Sequence, residues 1–235
     1  MTEVGRTGDA RKDRWRSHRA ARREMFVEAA LRALGEHGPD VGMDDVAAAA
    51  GVTKPVLYRH FTDKADLFVA LGQRGTEILF ERLIPALNEE QAPIPRIRSS
   101  LDAFFSVIEE YPNLYRLLVR STFGEVKPNQ DIVAEDKEVI AAALAGLLGD
   151  YMRAFDIDPE PAEAWAHGIV GMVQNVGEWW LERRSVSRDA VVANLTTIIW
   201  AAIDGIVRQH GFEIDPHEPL DVNRVVGLRD TRVRD

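Results

Sequence analysis

The sequence predicts an all-α fold, and three observations carry that prediction. Apolar residues recur at spacings of three and four through most of the chain, and no stretch alternates polar with apolar residues between turn residues as a half-buried strand does. Proline and glycine then divide the periodic stretches at Gly38-Pro39, Pro85, Pro93/Pro95, Pro112, Pro128, Pro159/Pro161 and Gly211. Helices are expected at roughly 18–37, 43–50, 54–60, 64–88, 94–110, 113–122, 131–155, 160–184 and 187–210, with Pro85 a place where the fourth could end early. At 235 residues, 46% hydrophobic and 29% charged, the chain is long and apolar enough for a substantial core and two domains.

The first segment, 1–17, reads as a basic flexible arm. Residues 1–23 hold eight Lys or Arg (Arg6, Arg11, Lys12, Arg14, Arg16, Arg19, Arg22, Arg23) against Glu3, Asp9 and Asp13, a net of +5 in a chain of net −9, which leaves −14 for the rest. Such segregation fits a polyanion at one end, and equally a solvated leader. There is no cysteine, which excludes disulfides, thiolate metal sites and a cysteine nucleophile. The charged start lacks a signal-peptide core and no uninterrupted apolar run reaches membrane-spanning length, so a soluble cytoplasmic protein without a membrane partner is expected.

The next elements run from Gly42 to Leu67, GMDDVAAAAGVTKPVLYRHFTDKADL. Asp44 and Asp45 suit the first turn of a short helix, Val46, Ala47 and Ala50 give it a thin apolar stripe, and Gly51 sits where a tight turn needs positive φ. Thr53 is placed to cap the following helix, Val52 and Leu57 are spaced as a hydrophobic staple, and Pro55 fits a first turn. In that helix Leu57 and Phe61 face inward, leaving Lys54, Pro55, Tyr58 and Arg59 outward. Lys54 and Arg59 suit base edges or phosphates, Tyr58 and His60 can donate to phosphate oxygens, and His60 could equally be a packing histidine. Asp63 is expected to cap the next helix, with Lys64 in its first turn able to hold a phosphate.

The run AAAAGVTKPVLYRHFTDKADLF resembles the signature of the TetR family of bacterial transcriptional regulators, over about residues 22–70 and including Phe26, Ala30 and Gly38 of the first helix. The resemblance implies an N-terminal three-helix helix-turn-helix domain, at 18–70, and a C-terminal helical bundle for ligand binding and dimerisation, at 71–211. It further implies a repressor of operator DNA. Carried over position by position, the DNA contacts fall on Thr53, Lys54, Pro55, Val56, Tyr58, Arg59, His60 and Lys64. Gly42 departs from the pattern, because the family usually has a Thr or Ser cap there that also touches phosphate.

Beyond Gly75 there is no glycine-rich phosphate loop, G-x-S-x-G or H-E-x-x-H, and the six histidines are scattered, so neither catalysis, a metal nor a cofactor is expected. Trp165, Ile169, Met172, Val176 and Trp179/Trp180 share one stripe, and Val192, Leu195, Ile199, Ala202 and Ile206 another, on two helices joined by Ser185-Val186-Ser187. Both are too apolar for a single inner face. The surplus, including Ile198 and Ala201, is expected to meet a second copy, and Ile199 is taken as an outward position of that seam. Gly168, Gly171 and Gly177 imply close helix approach or space for a ligand.

Phe104, Ile108, Tyr111, Tyr115, Leu118, Phe123, Leu148, Met152, Trp165, Met172, Asn175 and Trp179 are candidates to line a pocket for a hydrophobic small-molecule effector. The tail, 212–235, is expected to be mobile. An activator, an effector-independent regulator of the same fold, and a helical enzyme or carrier with an incidental helix-turn-helix are the competing readings.

Overall fold

The computed structural model describes the backbone of residues 5–89, 91–123 and 130–220, and the side chains of 18–89, 91–118, 135 and 137–220. The described residues form helices α1 (Gly5–His37), α2 (Met43–Ala49), α3 (Lys54–Leu57), α4 (Lys64–Asn88), α5 (Pro93–Glu110), α6 (Pro112–Phe123), α7 (Gln130–Ala154), α8 (Ala162–Arg183) and α9 (Arg188–Gln209), with no strand among them. The fold is all-α, as the periodicity predicts.

Two expectations change, at the arm and the tail, and the early end allowed for at Pro85 does not occur. Helix α1 starts at Gly5, so the stretch expected as an arm is helical; its Arg, Lys and Ala residues are good helix formers and no proline interrupts them. Helix α4 runs through Pro85 to Asn88 without ending early. Part of the expected mobile tail is docked: Ile214 is buried, Phe212 stacks edge-on against Phe155 at 5.1 Å, and the Ile94 amide donates to the Pro216 carbonyl at 3.0 Å. Residues 221–235 lie outside the described residues.

The chain divides into two compact units whose limits differ from the expected 18–70 and 71–211. The first is Met1–Thr76 with Tyr111–Val133, so α6 joins the N-terminal unit; the second is Glu77–Glu110 with Ala134–Asp235. Apolar periodicity cannot reveal such a split, because α6 looks like any amphipathic helix until its partners are known. In the first unit Leu114 and Leu117 of α6 enter a core of Phe26, Ala30, Leu34, Val46, Leu57, Phe61, Leu67 and Leu71. Asn113 ties α6 to the end of α1 by donating from Nδ2 to the Leu34 carbonyl at 3.0 Å, an oxygen that also accepts the Gly38 amide at 3.0 Å.

In the second unit α9 packs along α5, and Phe105, Ile108, Trp180, Leu181, Val192, Leu195 and Ile199 are buried. A second cluster gathers Met152, Phe155, Ile157, Ala162, Val207 and Ile214. Ile199 is only 5% exposed, beside Leu195 at 3%, which corrects its assignment to an outward seam; the outward position is the neighbouring Ile198, at 54%. One residue is 100° around a helix, and on a helix apolar on both sides the sequence pattern cannot choose between them.

The α8 glycines separate by environment. A Cβ on Gly177 would lie 2.9 Å from Ile108 Cδ1 and 3.0 Å from Phe104 Cε1, so this glycine permits close packing of α8 on α5. Gly168 and Gly171 would meet nothing within 4 Å. Substituting Gly177→Val should cost about 1–3 kcal/mol through overpacking, read as a lowered urea midpoint. A midpoint equal to that of the native protein would show that α5 can yield without cost.

Candidate nucleic-acid interface

The geometry of the helix-turn-helix begins with its turn. Gly51 has φ +64°, its amide donates to the Ala48 carbonyl at 3.0 Å, and the Val52 amide donates to the Ala47 carbonyl at 3.0 Å. These paired bonds close the end of α2 and need the left-handed residue that glycine supplies. At the start of α2 the Gly42 amide donates to Asp45 Oδ2 at 2.8 Å, so the residue that departs from the family pattern is still tied down, by the side chain three positions on. Thr53 has the extended backbone of a helix cap but its side chain makes no capping bond, contrary to expectation, and it stands exposed. Helix α3 is regular only to Leu57, and the chain continues as turns through His60, whose amide donates to the Leu57 carbonyl at 2.8 Å.

This backbone turns Leu57 and Phe61 fully into the core and leaves Thr53, Pro55, Tyr58, Arg59 and Lys64 exposed, Tyr58 at 46%. Val56 is half-buried against the core. Lys54 is half-buried, and its Nζ donates to Asp44 Oδ2 at 2.8 Å, an ion pair between the first turns of α2 and α3 that raises the lysine's pKa. Lys64 lies over the Phe68 ring with Nζ 4.9 Å from its centre. The His60 ring is half-buried and packs edge-on against Phe26 at 5.1 Å, with its Nδ1 buried and unpartnered among the described residues.

What holds this face is a residue the sequence marks only as a charge. Arg23 of α1 donates from Nη1 to the His60 carbonyl at 2.6 Å and from Nη2 to Asp66 Oδ1 at 2.5 Å, with its guanidinium 4.3 Å from the centre of the Phe61 ring. Asp66 also accepts from the Thr62 amide at 2.9 Å, while its own amide donates to Asp63 Oδ1 at 2.8 Å, so Asp63 caps α4 as expected. One turn before Arg23, Arg19 donates from Nη2 to the Arg59 carbonyl at 3.4 Å. Partners 37 to 43 residues apart leave no local signal. Together Arg19, Arg22, Arg23 and Arg59 surround His60 with positive charge.

The candidate pocket residues fall into separate groups. Tyr111 and Leu118 pack on the core of the first unit, and Tyr115 is half-buried within that unit. In the second unit Phe104 and Ile108 flank Gly177; Leu148, Met152 and Trp165 belong to the second apolar cluster; Met172 is half-buried. Asn175 and Trp179 are exposed, the Asn175 Nδ2 donating to the Gly171 carbonyl of its own helix at 3.0 Å. The Phe123 side chain lies outside the described residues.

A capped turn, a short second helix with its aromatic and cationic side chains outward, and a supporting basic helix define a helix-turn-helix DNA-binding protein. Comparison with known proteins narrows this. Residues 26–71 match the family described as bacterial regulatory proteins, tetR family, and residues 82–211 match the Tetracyclin repressor-like C-terminal domain. A helix-turn-helix-type transcriptional regulator of Mycobacterium tuberculosis H37Rv is 32% identical over 89% of this chain and 90% of its own. The transcriptional activator FasR of Mycolicibacterium smegmatis is 28% identical over 78% of this chain and 80% of its own. Among solved structures, a tetR-family regulator from Streptomyces coelicolor superimposes with a TM-score of 0.64 at 20% identity, covering 92% of this chain and 96% of that one. FadR of Bacillus subtilis, solved with stearoyl-CoA, gives 0.58 at 18% identity, covering 74% and 96%. The chain belongs to the TetR family and is a DNA-binding transcriptional regulator.

The supporting contacts carry a pH signature. Burial, then the surrounding arginines, lower the His60 pKa below its ordinary 6.5, and the hydrogen bond from Arg23 lowers Asp66 below 3.8. Both values lie lower in the folded chain than in the unfolded one, so the unfolded chain binds more protons and stability falls with acid. It should fall first below pH 6.5 through His60 and again below 3.8 through Asp66. Urea unfolding followed by circular dichroism across this range should lose the upper step in His60→Gln. Arg23→Ala should cost about 1–2 kcal/mol at neutral pH, reduced from the buried value because both partners are partly exposed. An unchanged pH profile in both variants would contradict this account of the pin.

Proposed function

We propose that this regulator is a homodimeric repressor in the cytoplasm, acting by binding and without catalysis, which a hydrophobic small molecule releases from operator DNA. Thr53, Lys54, Pro55, Val56, Tyr58, Arg59, His60 and Lys64 form its DNA-contacting segment, with Tyr58 and Lys64 on phosphates, Arg59 on a base edge and His60 acting through its backbone and packing. The observation that carries the proposal is the pairing of this exposed face with a second, apolar one in the other unit. Trp179, Ile198, Ala201, Ala202, Gly168 and Gly205 are exposed on α8 and α9.

An 18-residue window of α9 has mean hydropathy 1.8 with 33% of it buried, so by length and composition alone this helix could cross a membrane. Its inner side is instead committed to the core through Val192, Leu195 and Ile199, and its outer side also carries Asn194 and Thr197. A second copy covers such a face without asking it to be apolar all round. Two joined subunits then place two recognition segments on one duplex.

The hydrophobic effector is supported by the aromatic and aliphatic residues of the second unit, Phe104, Ile108, Leu148, Met152, Trp165 and Met172, and by the stearoyl-CoA bound to a neighbour of the same fold. By linkage, an effector that binds the DNA-incompetent conformation better lowers operator affinity. The second reading, an activator, is favoured by the relation to FasR; DNA and dimer chemistry are the same in both.

Tyr58→Phe and Lys64→Ala should each weaken binding to duplex DNA whatever its sequence, and the lysine change should flatten the salt dependence by about one unit of slope. Full affinity in both would remove this face from the DNA. Ile198→Asp should give a folded chain of half the native mass by light scattering, since it buries an unpaired charge in the seam. A folded Ile198→Asp dimer would place the seam elsewhere.

A further inference from the structure

The ion pair between Lys54 and Asp44 joins a cation of the DNA-contacting segment to a carboxylate on the neighbouring helix. Lys54 stands at the first position of α3, where the helix dipole disfavours a positive charge, and Asp44 in the first turn of α2, where it favours a negative one. The carboxylate side chain is 77% exposed and the lysine side chain 43%, so the pair lies at the surface with the acid outermost. No other acid pairs with Lys54 among the described residues, and Arg19, Arg22, Arg59 and Lys64 form no ion pair there. Of the described cations around the recognition segment left outside the Arg23 pin, Lys54 alone is held by an acid.

We propose that Asp44 is a positioning residue that sets how selectively the chain binds DNA, by withholding the Lys54 ammonium from phosphates. The inference rests on the reading that α3 faces the duplex. On DNA of arbitrary sequence the carboxylate keeps its lysine and repels a phosphate brought to the same place, so Lys54 adds little to counterion release. A guanine edge within reach offers Lys54 two acceptors, O6 and N7, and competes for it without bringing a phosphate charge beside Asp44. The pair therefore taxes backbone binding more than base reading. Exposed ion pairs are weak enough to be exchanged in this way.

The test is a double-mutant cycle on the full chain, measured by fluorescence anisotropy with a random-sequence duplex at several salt concentrations. Asp44→Asn should raise affinity about two- to fivefold and steepen the salt slope by about 0.9, as one further phosphate contact forms. Lys54→Ala should cost more in the Asp44→Asn background than in the native one, by the same factor. Asp44→Glu, which keeps the charge, should stay near native affinity, and circular dichroism would confirm that α2 survives in each variant.

If Asp44→Asn raises affinity equally with Lys54 or Ala at position 54, Asp44 acts as a general repulsive charge and the proposal is overturned. No gain in affinity and no change in slope overturn it as well. Lys64→Ala separates this from failure of the interface itself: if it binds the random duplex as tightly as the native chain and with the same salt slope, the face is wrong and not the pair.

Discussion

The exposed face of the helix-turn-helix depends on one guanidinium. Arg23 leaves α1, lies over the Phe61 ring, donates to the carbonyl of His60 where α3 has unravelled into turns, and pairs with Asp66 where α4 begins. A recognition helix of four regular residues cannot hold its own orientation, since nucleation of so short a helix is unfavourable. It is oriented from both ends, by the glycine-closed turn before it and by this pin after it. Between them Leu57 and Phe61 are driven into the core, and Tyr58 and Arg59 are left outside as a geometric consequence.

Much of this was legible in the sequence because the decisive signals are local. Gly51 announces its positive φ, Asp63 its cap, and the proline-glycine punctuation locates most of the helix ends within a residue or two. The pin was not legible. Arg23 reads as one more cation of a basic segment, and its partners become neighbours only when α1, α3 and α4 are packed together. The same limit explains α6, whose place with the N-terminal unit rests on Asn113 reaching the end of α1. It also explains Thr53 and His60: composition admits each as a polar contact, whereas packing leaves the Thr53 hydroxyl without a capping role and turns the His60 ring against Phe26.

Helix α9 shows a different kind of ambiguity. Its inner face needs Val192, Leu195 and Ile199 for the core, and its outer face presents Ile198, Ala201 and Ala202, so two apolar stripes overlap in one sequence. Periodicity reports that the helix has more apolar surface than one core requires, yet not which isoleucine serves which side. The glycines of α8 divide along the same line: Gly177 lets α5 come close, and Gly168 and Gly171 leave the helix backbone open on the side away from that contact. The candidate pocket residues divide too, for aromatic content marks buried or binding surface without saying which of several apolar clusters a side chain joins.

On the function proposed here, one chain carries both a recognition face and a self-complementary apolar face, so that two copies read DNA together. Enrichment of sequences from a randomised pool of duplexes by the native protein tests it most directly. Two half-sites in inverted order, with centres one helical turn of about 10 base pairs or a multiple of it apart, are the result expected of a two-fold dimer. A single unrepeated motif, or a pool that stays random, would contradict it.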